Sequence, residues 1–106
     1  MHTDHTHFLE ALTAKHRVLL TFFSNEDRAP ITRVCAPMDY GPSRRAKDGQ
    51  DRYHFWDYSS DKGSHVLSLL PDQIVRIECL EQNFDPADFV TWTPAWFLPR
   101  DWGQFS

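Results

Sequence analysis

The chain has little of what most specialised functions require. Among 106 residues there are two cysteines, Cys35 and Cys79, and they lie too far apart for a metal-type or redox-type spacing. Both read as buried thiols in a reducing compartment. No apolar run approaches the length that spans a bilayer, so no membrane partner is expected. Basic residues are outnumbered, 11 Lys+Arg against 15 Asp+Glu for a net charge of -4. A protein that coats nucleic acid must neutralise phosphates, so this balance does not favour that role and leaves room only for a local basic patch. There is no phosphate-cradling glycine loop, no Gly-x-Ser-x-Gly and no His-Glu-x-x-His. The expectation is a non-enzymatic protein without a cofactor. The first residues, Met1 to His7, are polar, with neither a basic n-region nor an apolar h-region. No signal peptide is expected, and the cytoplasm is the expected compartment.

What is present suits one modest domain. The length fits a single core, and a hydrophobic fraction of 41% can fill it without disulfides. Residues 1 to 5 read as a frayed tail. After Thr6 the chain runs HFLEALTAKHR; Phe8, Leu9, Ala11 and Leu12 share one helical face, and Lys15, His16 and Arg17 suit a helix C-terminus. Asp4 or Thr6 can supply the N-cap oxygen of a helix of about three turns. The period then becomes two. A first strand covers Val18 to Phe23, and the Ser24–Arg28 cluster turns the chain. A second strand, Ile31 to Ala36, lies between Pro30 and Pro37. A polar loop (41–51) leads to an aromatic third strand, Arg52 to Tyr58, and a short turn at 59–63 pairs it with a fourth, His65 to Leu70. Pro71-Asp72 precedes a fifth strand, Ile74 to Leu80, with Val75, Ile77 and Cys79 on one face. Asp85-Pro86 opens a helical turn. The predicted fold is mainly β (α+β): an N-terminal helix, then a five-stranded, strongly bent antiparallel barrel of the SH3/Sm type, closed to remove its edges. Trp92, Trp96 and Trp102 crowd the last residues. Rings this apolar must either wrap the barrel or dock on a partner, and wrapping is the expectation.

Several of these segments resemble WYL domains. DRYHFWDY (51–58) is similar to the family's Trp-Tyr-Leu strand, with Tyr53, His54 and Phe55 at the signature positions. TRVCAP (32–37) places Arg33 and Pro37 in register with its arginine-to-proline strand. HVLSLLPDQI (65–74) and NFDPADF (83–89) follow in the family's order, with Gln73 where an arginine is expected. The resemblance covers residues 8 to 90 and leaves 91–106 as a Trp-rich extension. It implies a divergent, stand-alone member with a regulatory ligand pocket, often for nucleotides or nucleic acid, near its basic positions.

The candidate binding residues are therefore Arg33, Arg44, Arg45, Lys47, Arg52, Tyr53, His54 and Gln73. Guanidiniums fork onto phosphate or carboxylate, and Tyr53, Phe55, Trp56 and Tyr58 offer rings for stacking. Strand alternation sets Tyr53 and Phe55 on the face opposite His54, Trp56 and Tyr58, and one of those faces is core. His54 and His65 are placed on neighbouring strands, where they can face each other. His2, His5 and His7 read as tail residues rather than metal ligands, and no metal site is expected. The carboxylate pairs Asp48/Asp51, Asp57/Asp61 and Glu78/Glu81 read as solvated faces. Three classes of partner remain: a small ligand or nucleotide, a nucleic acid, and a protein partner such as a second copy through the tryptophan tail.

Overall fold

A computed structural model describes residues 1–59 and 63–106. Helix α1 spans His5–Ala14 and buries Phe8, Ala11 and Leu12, the one-face spacing read from the sequence. It stops at Lys15, whose left-handed backbone (φ 57°) turns its N–H back to the Ala11 carbonyl. His16 and Arg17 accordingly begin the first strand instead of ending the helix. Five antiparallel strands follow: β1 (His16–Ser24), β2 (Ala29–Pro42), β3 (Asp51–Asp57), β4 (His65–Leu69) and β5 (Ile74–Asn83). They form one bent sheet in the order β4-β3-β2-β1-β5. The β3–β4 pairing is as expected; residues 60–62 of the turn assigned between them lie outside the described residues. No helix among the described residues is long and apolar enough to cross a membrane.

The inner face of the sheet packs on α1. Val18, Leu20, Phe22, Cys35, Tyr53, Phe55 and Ile77 are buried there, with the Phe8 ring edge-on to both Tyr53 and Phe55. Two bulges correct the strand limits read from sequence. Pro37 does not end the second strand. It pairs with Phe55, Asp39 pairs with His54, and Met38 is left unopposed between them. A bulge tolerates a residue without an N–H, so β2 runs on to Pro42. In β5, Thr21 pairs with Arg76 and Phe22 with Ile74, which leaves Val75 unopposed. That extra residue puts Ile74 and Ile77 inside, while Val75 and Cys79 are exposed. The reading of Cys79 as buried is thereby corrected; Cys35 is buried.

The sheet does not close by strand pairing: β4 and β5 are its two edges. Residues 1–5, read as frayed, are docked along the β5 edge. The Ile77 N–H donates to Asp4 Oδ2 at 2.9 Å, the His2 ring meets the Ile74 carbonyl at 3.0 Å, and His7 meets the Ile77 carbonyl at 3.2 Å. These side chains satisfy backbone groups that an edge strand otherwise leaves open. Asp4, positioned as the N-cap, makes no cap bond because its carboxylate is used here. The His2 backbone N–H donates to the Tyr53 hydroxyl at 3.1 Å, and that hydroxyl meets His5 Nδ1 at 2.7 Å.

Candidate functional site

Residues 84–106 wrap the outer face of β2 and β3, and this wrapping builds the site. The segment leaves β5 with the Phe84 N–H bonded to the Lys15 carbonyl at 2.9 Å. Asp85 caps the short turn Pro86–Asp88 by accepting from the Ala87 N–H. Phe89 then stacks on Trp56, with ring centroids 5.8 Å apart. Trp102 is buried against Phe84, Phe89 and Trp96, and its indole N–H donates to the Leu12 carbonyl at 2.9 Å. That carbonyl belongs to the last turn of α1, where the helix itself offers no partner. Coverage on both sides is why Cys35 through Asp39 are buried without interruption.

A buried clamp fixes the segment between Trp96 and Trp102. The Asp39 carboxylate accepts from the backbone N–H groups of Phe97 (2.9 Å) and Leu98 (3.0 Å). Arg100 Nη2 lies 3.2 Å from Asp39 Oδ1, and Nη1 donates to the Met38 carbonyl. The guanidinium sits in the corner formed by the Trp96 and Trp102 rings, which meet edge to face, 4.2 and 4.4 Å from their centroids. Burial pulls the Arg100 guanidinium down to about 10, against the opposing pull of Asp39. Phe97 lies so close over Gly41 that an added Cβ there would sit 2.4 Å from its ring.

Between this clamped segment and the sheet lies a cleft of about 260 Å³. Its sheet side is Asp39, His54, Val66 and Ser68; its other walls include Trp92, Trp96, Phe97 and Arg44. His54 Nε2 donates to the Gly41 carbonyl at 3.0 Å, because a carbonyl only accepts. Its Nδ1 is then the acceptor for the Ser68 hydroxyl at 2.8 Å, which leaves the Ser68 oxygen lone pairs turned elsewhere. Asp39 is fully engaged by the clamp. Arg44 is exposed and has no ion-pair partner among the described residues. The cleft thus offers ring faces, the Ser43 and Ser68 hydroxyls and one uncompensated cation. Two more open depressions, one at Tyr40, Gln50 and Asp72 and one at Thr91, Pro94 and Gln104, contain only Trp92 of the sequence candidates.

The structure brings Arg44, His54, Trp92 and Trp96 together at this cleft and disperses the other candidates. Arg33 lies 3.7 Å from Asp57, which is buried and also holds the Ser59 N–H; the solvated reading of Asp57 is corrected, and its companion Asp61 lies outside the described residues. Arg52 forks onto Asp48, holding that carboxyl down to about 2. Gln73 accepts the Leu70 N–H at 2.9 Å. Tyr53 and Phe55 are wholly buried on the inner face and cannot stack on a base. Arg45 and Lys47 stand exposed on the loop outside the cleft. His54 and His65 do not face each other: His54 pairs with Ser68 and His65 with Asp57. Trp102 is structural. Asp39, Ser68 and Arg100 were absent from the sequence candidates; the one signal was an arginine isolated among tryptophans, a cation–π pattern. No family model, curated protein or solved structure matches the chain.

Proposed function

We propose that the chain is a non-enzymatic ligand-binding module, and that its binding surface is the cleft between the outer face of β2–β4 and the C-terminal segment. The observation that carries this reading is convergence. Arg44 and His54, chosen from sequence for binding chemistry, and Trp92 and Trp96, read there as tail rings that wrap or dock, come from three separate stretches of chain and line one concave site with aromatic walls. The resemblance to WYL domains supports a ligand-responsive barrel in general terms. The basic positions that the resemblance singles out are otherwise occupied: Arg33 faces Asp57, and Arg52 grips Asp48. The Ser68–His54 contact has the spacing of a nucleophile and its base. Acyl transfer also needs preorganised donors for a developing oxyanion; besides the exposed Arg44, the walls that accompany Ser68 are chiefly the apolar Val66, Trp92, Ala95 and Phe97.

A fragment screen on the isotopically labelled chain tests the reading. Hits are expected to shift the amide signals of His54, Val66, Ser68, Trp92 and Phe97 as a group. An absence of hits, or hits that shift only the β5 edge or the 43–50 loop, contradicts it.

A further inference from the structure

Resting on that reading, we infer that the cleft takes a small planar aromatic anion, with its ring against Trp92 and Phe97 and its carboxylate or phosphate on Arg44. Size gives the first argument. At about 260 Å³ the cleft lies just under the span usual for drug-sized ligands, which suits one ring system with a short arm rather than a whole nucleotide. Ring faces give the second. Trp92 (45% exposed) and Phe97 (51% exposed) are large apolar side chains left half in water beside the cleft, while the rings behind them are packed. Trp92 is held edge-on to Trp96 at 5.9 Å, and the Asp39 clamp fixes the backbone of Phe97. Both rings are thus placed before a ligand arrives, which lowers the ordering cost of binding. Charge gives the third. The cleft contains one carboxylate, Asp39, and it is already met by Arg100 and three backbone N–H groups, those of Tyr40, Phe97 and Leu98. Arg44 is left as the uncompensated charge, and a guanidinium binds either kind of oxyanion in a forked geometry. Ser68, whose O–H is directed to His54 in a hydrogen bond, presents its oxygen as an acceptor to any N–H or O–H that the ring carries.

Titration calorimetry with four probes tests the inference: indole-3-acetate, phenyl phosphate, neutral indole-3-ethanol and inorganic phosphate. One or both aromatic anions are expected to bind at least tenfold more tightly than the neutral indole and than inorganic phosphate. Arg44→Gln is expected to weaken the aromatic anion roughly tenfold, the scale of one charge-assisted hydrogen bond, whereas Arg45→Gln leaves it unchanged. The stronger of the two anions distinguishes carboxylate from phosphate. Equal binding of the neutral indole, or indifference to Arg44→Gln, overturns the anion assignment while leaving the cleft a binding site. If none of the four binds but fragments still occupy the cleft, the ligand class is wrong; if nothing occupies it, the proposed function fails as well.

Discussion

Arg100 and Asp39, sixty-one positions apart, form a buried ion pair at 3.2 Å that closes the C-terminal segment onto the sheet. Removing one partner strands the other in a low-dielectric site. Arg100→Met is therefore expected to cost about 3–5 kcal/mol. A urea titration should show the midpoint falling by that measure, with the Trp96 and Trp102 indole signals moving towards solvent-exposed values.

The contact between Gly41 and Phe97 predicts a coupled pair. Gly41→Ala places a methyl inside the Phe97 ring and should cost about 1–3 kcal/mol through overpacking. In a Phe97→Ala background the same change should cost far less. A double-mutant cycle measures the difference; equal costs in both backgrounds would show that the ring simply swings aside.

The N-terminal segment carries a pH dependence. Burial, and then the charge of the chain's amino terminus, lowers the His5 pKa from its ordinary 6.5. A histidine lowered in the folded state favours the neutral form there, so the unfolded chain binds the proton more readily. Its contribution is complete above 6.5 and is lost as the pH falls through 6.5 towards the lowered folded value. The decline in stability from about pH 7 to 5 should be flatter in His5→Gln than in the parent chain. Identical slopes would remove His5 from the account.

The two thiols should separate by accessibility. Cys79 is exposed, whereas burial, followed by the Asp57 charge, drives the Cys35 thiol far up. Under native conditions an alkylating reagent is expected to label Cys79 and spare Cys35 until the chain unfolds, as peptide mass spectrometry will show.

Local patterns were legible in the sequence wherever periodicity governs them. The alternation along Asp51–Asp57 separates Tyr53 and Phe55 from His54 and Trp56, and the structure keeps that separation. The helix face of Phe8, Ala11 and Leu12 was visible for the same reason. The proline at position 37 misled because a bulge accommodates it, and the alternation in β5 misled because Val75 is an extra residue. Neither bulge leaves a local mark. Register decided the site: whether His54 meets His65 or Ser68 depends on how β3 and β4 align, which no single strand records. Arg44 and His54 were legible as binding chemistry, and Trp92 and Trp96 as rings that need cover, but none of them as neighbours. Asp39 was invisible because its value comes from partners in the last residues of the chain.

On the proposed function the tryptophans of the C-terminal segment divide by role: Trp102, buried, holds the fold, and Trp92, half-exposed, lines the binding cleft. Trp102→Ala removes a buried ring and is expected to cost about 3–5 kcal/mol. The decisive measurement is the binding to Trp92→Ala of whichever aromatic anion, indole-3-acetate or phenyl phosphate, the parent chain holds more tightly, with the urea midpoint of the variant taken alongside. This division of roles predicts a midpoint close to that of the parent chain together with at least a tenfold loss of binding. An unchanged affinity, or a midpoint as low as that of Trp102→Ala, would contradict it.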